Sequence, residues 1–126
     1  MSARTVLVTG SAKRIGRSIA LRLSREGFRV GIHYSASSAE AEKTAAECGN
    51  AEIFKANLEN VDEIRKLYEA IDQKFGRLDC LVNNAARFTK FDPLDITEAD
   101  WDYIHSVNLK AVFFSCQQAA QRMLNQ

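Results

Sequence analysis

Two glycines frame a short segment that could hold a phosphate group. The segment Thr9-Gly10-Ser11-Ala12-Lys13-Arg14-Ile15-Gly16 follows a short apolar run and precedes residues with helical spacing. A turn between a buried strand and a helix offers unpaired backbone N–H groups and the positive end of the helix dipole to an anion. Gly10 permits a tight turn, and Gly16 permits close packing or close approach of a ligand. The sequence therefore predicts a phosphate-binding turn. The alternative is a plain connection with packing glycines.

The cations of this turn give it further chemistry. Arg14 falls in the first turn of the expected helix, where the dipole disfavours a cation by up to about 1 kcal/mol. A phosphate bound beside Arg14 would reverse that sign, whereas an exposed arginine would simply point into water. Lys13 precedes Arg14 and Ile15 follows it. We expect all three residues to bind a phosphate-bearing cofactor.

The end of the second expected strand indicates which dinucleotide would bind. An NAD-selective site places an Asp or Glu there to bind both ribose hydroxyls. This chain instead reads His33-Tyr34-Ser35-Ala36-Ser37-Ser38, and its first acid is Glu40. No carboxylate would repel a 2′-phosphate, which Lys13, His33 or Ser35 could receive. The pattern predicts NADP(H), unless these serines are only loop and cap residues.

Strands and helices must alternate to position these residues. We expect strands over 4–9, 29–33, 51–56 and 78–82. Helices should begin at Lys13, at a Ser37–Glu40 capping box and at Asn60, with Gly27, Gly49 and Gly76 at their ends. A long helix over 98–126, opened by Thr97 and Asp100, would follow. Such alternation predicts a doubly wound, Rossmann-type α/β fold with a parallel sheet of at least four strands, forming one domain over 1–126.

Composition excludes several classes of function. The chain has 126 residues and a net charge of +1, so no nucleic-acid-binding stripe is expected. The longest uncharged apolar run, 111–114, is far short of the ~20 residues of a membrane span. Three widely spaced cysteines favour reduced thiols in the cytoplasm over a disulfide framework or a metal site. Seven basic residues and one acidic residue between Arg4 and Arg29 would suit an anionic ligand.

These motifs together resemble the short-chain dehydrogenase/reductase family. The residues that carry the resemblance are Thr9-Gly10 with Ile15-Gly16, Asn57-Leu58, Asn83-Asn84-Ala85-Ala86 and Asn108. The chain departs from the family where Arg14 replaces the middle glycine and where Ala86 replaces a glycine. Lys13-Arg14-Ile15-Gly16 followed by His33-Tyr34 is similar to the pteridine reductase branch, although other reductases also carry an arginine there.

The resemblance implies hydride transfer from NADP(H) to a carbonyl or imine of a small molecule. A pterin is favoured, with Arg14 facing both the cofactor phosphate and the substrate. A 3-oxoacyl thioester or a sugar carbonyl is the alternative.

Individual site residues follow from the same resemblance. Asn57 would contact the adenine, Leu58 would also bind the cofactor, and Asn83 and Ala85 would line the ribose and nicotinamide. Phe88 would stack a flat substrate ring against the nicotinamide, and Asn108, on the apolar stripe of its helix, would hold a water of the proton relay. Structural alternatives are a turn residue for Asn57, a sheet-stabilising role for Asn83, a loop anchor for Phe88 and a satisfied core amide for Asn108.

The family's catalytic Ser and Tyr-x-x-x-Lys do not occur here. Tyr34, Tyr68 and Tyr103 are followed four residues later by Ser, Asp and Val. We therefore expect these 126 residues to be inactive alone and to form the N-terminal part of a longer reductase. The alternatives are a short NADP(H)-binding module without catalysis and a fragment that serves only as an interaction surface.

The last expected helix has more apolar circumference than one sheet face can cover, with Phe113 or Phe114 pointing away from the sheet. A homo-oligomer is therefore expected. The apolar residues are Trp101, Ile104, Val107, Leu109, Val112, Phe113, Phe114, Ala119 and Met123.

Overall fold

A parallel four-stranded sheet forms the centre of the computed structural model, which describes residues 3–89 and 92–126. The strands are β1 (Thr5–Val8), β2 (Arg29–Tyr34), β3 (Ala51–Lys55) and β4 (Cys80–Val82). Their order is β3-β2-β1-β4, and every neighbouring pair is parallel. The predicted doubly wound fold is confirmed. The strand order reverses between β1 and β4, which opens a crevice at the carboxyl ends of these strands.

Helices cover both faces of the sheet. They are α1 (Arg14–Arg25), α2 (Ser38–Cys48), α3 (Val61–Phe75), α4 (Glu98–His105) and α5 (Ala111–Asn125). Val6 and Val8 pack with residues of α1 and α2, whereas Leu7 packs with residues of α3 and α5. Burial on both faces explains why β1 is a continuous apolar run. A short 3₁₀ turn, Pro93–Asp95, precedes α4.

No helix in the described ranges is both long enough and apolar enough to span a membrane.

Local hydrogen bonds begin and end most helices as predicted. Gly27 ends α1 with φ +91°, and the Phe28 amide donates to the Leu23 carbonyl at 3.1 Å. The Asn60 side chain caps α3, and Thr97 and Asp100 form a capping box on α4. The predicted Ser37 capping box is wrong, since the Ser37 side chain makes no cap hydrogen bond. Its backbone, at φ −87° and ψ 61°, is not in the extended conformation usual for a capping residue.

Two predicted boundaries are wrong. The long helix over 98–126 is divided, because a π-helical turn, Ser106–Lys110, separates α4 from α5. Such turns widen the helix by one residue, and this one presents Asn108 to a neighbouring loop. β4 begins at Cys80 rather than at residue 78, since the Gln126 side chain occupies the backbone N–H and C=O of Leu78. The other predicted strands agree within one residue at each end.

Candidate cofactor-binding site

A cleft of about 410 Å³ opens at the carboxyl ends of the strands, where the order reverses. Its walls are the turn after β1, the end of β2 and the segment after β4. Most of the predicted cofactor-binding residues meet there, namely Gly10, Lys13, Arg14, Ile15, Gly16, His33, Tyr34, Ser35, Leu58 and Ala85. Asn57, Asn83, Phe88 and Asn108 are not among the lining residues.

The turn after β1 is held in shape from β2. Gly10 has φ +62°, and its amide donates to Nδ1 of His33 at 2.9 Å. The Ser11 amide donates to the His33 carbonyl at 3.0 Å, and the Ser11 hydroxyl donates to the Val8 carbonyl at 2.7 Å. First-turn N–H groups of an α-helix have no acceptor within the helix, so α1 can offer its own to a phosphate at this end of the cleft.

His33 is a buried support of this turn. Its Nδ1 accepts from Gly10, so its Nε2, 3.0 Å from the Ala56 carbonyl, is the donor nitrogen. Burial lowers the pKa of His33, the hydrogen bond to Ala56 raises it, and the positive charge of Arg87 lowers it further. The imidazole is therefore neutral and ties β2 to the residues after β1 and β3. Both ring nitrogens already have partners within the protein.

Asn84, which was not predicted as a site residue, joins the end of β4 to the same turn. Its Nδ2 donates to the carbonyls of Thr9 and Gly10, each at 3.0 Å. The backbone amides of Asn84 and Ala85 both donate to the Thr9 hydroxyl at 3.0 Å. Asn83 is exposed and donates to Sγ of Cys116 on α5 at 3.3 Å. Two adjacent asparagines mark the motif in the sequence, but only the fold shows which one faces the turn.

Arg14 has an unusual backbone. At φ +57° it is the one non-glycine residue with positive φ in the described ranges. This conformation costs an L-residue about 1 kcal/mol or more relative to glycine. The exposed Arg14 side chain lines the cleft beside Lys13. The protein thus keeps a glycine-like backbone at this position while gaining a cation.

The charged side chains that line the cleft are all positive. Lys13, Arg14 and Arg87 line it, and no Asp or Glu is among the lining residues. Arg87 was not predicted for the site. It follows β4 and its Nη2 lies 3.5 Å from the Ser35 hydroxyl at the end of β2. The cleft is therefore suited to an anion that extends from α1 towards Ser35.

The chain matches a known protein family over almost its whole length. The family model described as short chain dehydrogenase matches residues 4–126. The chain belongs to the short-chain dehydrogenase family.

Relatives of the chain include the 3-oxoacyl-[acyl-carrier-protein] reductase FabG of Staphylococcus aureus, which is 36% identical over 98% of the chain and 52% of the relative. A probable galactose dehydrogenase GalD of Rhizobium meliloti is 40% identical over 98% of the chain and 50% of the relative. A Burkholderia cenocepacia short chain dehydrogenase, solved in complex with NADP, has a TM-score of 0.92 at 33% identity, covering 95% of this chain and 51% of that one. The chain spans about half the length of the curated relatives it matches.

Two further predicted site residues, Asn57 and Phe88, do not line the cleft. Asn57 makes local contacts. Its side-chain Oδ1 accepts from the backbone N–H of Glu59, and its backbone N–H donates to the Glu63 carboxylate, each at 3.0 Å. These are the contacts of a turn residue. Phe88 is 83% exposed, so its ring is not an anchor packed into the protein.

Asn108 is exposed and does not lie in the core as its place in the predicted apolar stripe suggested. Its Oδ1 accepts from the Arg87 amide at 2.7 Å, and its Nδ2 donates to the Arg87 carbonyl at 2.8 Å. The π-helical turn shifts the helical register at this residue, so the residue spacing of a regular helix misplaces it.

Proposed function

We propose that this chain forms the cofactor-binding part of an NADP(H)-dependent short-chain reductase. The observation that carries the proposal is the cleft with three cationic side chains and no carboxylate among its lining residues. A 2′-phosphate is the group that distinguishes NADP(H) from NAD(H), and a carboxylate near the ribose would repel it. The NADP complex of the Burkholderia cenocepacia relative supports the same choice of cofactor.

Different lining residues would bind different parts of the cofactor. First-turn amides of α1, with Lys13 and Arg14, would hold the phosphates nearest the helix. Leu58 and Val107, which line the cleft, would contact its apolar surfaces, and Ser35, another lining residue, would bind at the adenosine ribose. NADPH, when bound, supplies the hydride for reduction of a carbonyl or imine. The residues described here bind and orient it, whereas the proton donor would come from the family's Tyr-x-x-x-Lys, which these 126 residues lack.

The substrate is proposed as a small carbonyl or imine compound. Lys13-Arg14 and the exposed ring of Phe88 support a pterin, because an aromatic face can stack on a planar heterocycle. The Staphylococcus aureus relative supports the alternative, a 3-oxoacyl thioester, and the Rhizobium meliloti relative supports a sugar. The rate of NADPH oxidation by the full-length protein would be measured with dihydrobiopterin, with acetoacetyl-coenzyme A and with a sugar carbonyl compound. These rates would rank the three substrate classes. Faster turnover of the thioester than of the pterin would overturn the pteridine reductase assignment.

Calorimetric titration of NADPH and NADH tests the cofactor proposal directly. We expect NADPH to bind at least about tenfold more tightly, since charge-assisted hydrogen bonds to one additional phosphate contribute about 1.5–3 kcal/mol. Equal or tighter binding of NADH would refute the proposal. Tight NADPH binding by a full-length protein that turns over no carbonyl substrate would favour a binding module without catalysis.

The proposal also includes the oligomeric state and the location: the protein would be a homo-oligomer in the cytoplasm. Leu109 is 64% exposed and Phe113 is 61% exposed, so an apolar surface is available for a second subunit. The cysteines at 48, 80 and 116 are all free thiols, which suits a reducing compartment.

A further inference from the structure

Arg87 spans the cleft from the β4 side to the β2 side. Its backbone follows β4, and its Nη2 lies 3.5 Å from the Ser35 hydroxyl. Arg87 is half-buried, and no acidic side chain forms an ion pair with it within residues 3–89 and 92–126. A guanidinium has five N–H donors, and the long contact with Ser35 occupies only one of them. The remaining donors are available to an anion in the cleft.

The base of the Arg87 side chain is fixed by Asn108. The Asn108 amide pairs with both the N–H and the C=O of Arg87, at 2.7 and 2.8 Å. Asn108 itself lies in the π-helical turn between α4 and α5. These hydrogen bonds fix the backbone of Arg87, and the contact of Nη2 with Ser35 gives the direction of its side chain. The turn therefore presents Arg87 to the cleft in a defined direction.

We propose that Arg87 is a specificity-determining residue that binds the 2′-phosphate of NADP(H) together with Ser35, and that Asn108 is its positioning residue. The inference rests on the proposed cofactor. Ser35 stands at the end of β2, where an NAD-selective protein places its ribose-binding carboxylate. The pyrophosphate of a dinucleotide instead lies at the N-terminus of α1. Contact with Ser35 thus places the guanidinium at the ribose end, where two N–H groups can bind one phosphate.

Comparison of NADPH with NADH separates the two phosphate positions. Both cofactors carry the pyrophosphate, and only NADPH carries the 2′-phosphate. We expect Arg87→Met in the full chain to weaken NADPH binding about 10- to 100-fold and to change NADH binding less than about twofold. Arg87→Lys keeps the charge without the two-pronged geometry, so it should restore part of the NADPH affinity.

Arg25→Met is the matched control, because it removes the same charge at the far end of α1, about 16 Å along the helix from Arg14. Arg25→Met should keep the wild-type ratio of NADPH to NADH affinity. Asn108→Ala should lower that ratio in the wild-type background and leave it unchanged in the Arg87→Met background, since its effect passes through Arg87. A purely structural role of Asn108 would weaken both cofactors equally in both backgrounds.

The outcomes test the role of Arg87 separately from the proposed cofactor, NADP(H). A wild-type chain without preference for NADPH refutes the proposed cofactor. If the wild-type preference for NADPH over NADH persists in both Arg87→Met and Arg87→Lys, the role of Arg87 is refuted. If the affinities for NADPH and NADH fall equally, Arg87 binds the pyrophosphate and not the 2′-phosphate. Circular dichroism of each variant verifies the fold. If Arg87→Met fails to fold, the ratio in Arg87→Lys decides, because an unchanged ratio there refutes the two-pronged contact.

Discussion

A Cβ atom on Gly16 would lie 2.5 Å from Nδ2 of Asn84, closer than any real Cβ contact. It would also lie 2.2 Å from the carbonyl oxygen of Gly10, which Asn84 binds. The first turn of α1 and the segment after β4 therefore touch through a glycine and an amide. The absence of a side chain at Gly16 is what allows the segment after β4 to hold the turn after β1.

Gly16→Ala should disrupt this contact. We expect the free energy of unfolding to fall by about 3 kcal/mol, because backbone atoms and a bound amide must move to accept a methyl group. NADPH affinity should fall as well, since the turn moves. Urea denaturation and calorimetry measure the two effects. Gly76→Ala is the control: a Cβ there meets nothing within 4 Å, so only its left-handed backbone, with φ +73°, adds a cost, about 1–2 kcal/mol. Equal losses in the two variants would contradict the steric argument.

Arg14→Gly should separate stability from binding. Glycine relieves the positive φ of Arg14 but adds freedom to the unfolded chain, so we expect a gain of about 0.5–1 kcal/mol in unfolding free energy. NADPH affinity should fall about tenfold with the loss of a phosphate partner. Arg14→Asn tolerates the same backbone and also lacks the charge, so it should bind NADPH as weakly as the glycine variant. Binding at the parental affinity in either variant would make Arg14 a surface residue.

The neutral, buried His33 should make stability depend on pH. Its pKa is lowered in the folded chain, chiefly by burial, from a reference value of 6.5. The unfolded chain therefore binds more protons, and stability is lost as the pH falls below about 6.5 towards the folded pKa, by up to about 1.4 kcal/mol per pH unit. The pKa of the Asp79 carboxyl is lowered, first by its hydrogen bond from Arg77, so it titrates in a more acidic range.

Urea denaturation between about pH 7.5 and pH 5.5 measures this dependence. His33→Asn can still accept a hydrogen bond from Gly10 but does not titrate, so its stability should change little over that range. His105→Gln, which removes the only other histidine of the chain, should keep the wild-type slope. A wild-type slope that persists in His33→Asn would assign the effect to another group.

The apolar surface of Leu109 and Phe113 should promote self-association. These residues are four apart and both more than 60% exposed, whereas Phe114 packs against the core. We expect the 126-residue polypeptide to oligomerise or aggregate in light scattering, and Phe113→Lys to shift it towards monomer. Leu94→Lys, at a side chain 92% exposed outside α4 and α5, should leave the association unchanged. A monodisperse monomer of the parent polypeptide would contradict the expectation.

Local chemistry predicted the fold better than it predicted the site. The apolar run of β1, Gly27 at the end of α1 and the Thr97 cap each depend on near neighbours in sequence, and each appears as expected. Asn108, in the π-helical turn, forms hydrogen bonds with Arg87, which lies 21 residues away in the chain. The place of Arg87 in the cleft likewise depends on strand order. Residue spacing within one element contains no information about either contact.

Asn84 and Thr9, whose contacts help to shape the turn after β1, are separated by 75 residues in the chain. During synthesis, β1 and β2 emerge with their connecting helix long before β4 does, and the β1 edge that β4 will cover stays open meanwhile. The carbonyls of Thr9 and Gly10 receive their donor only when Asn84 arrives. The arrival of β4 and the final shaping of this turn are therefore the same folding event, and in a nascent chain that stops before β4 the turn would be held from β2 alone.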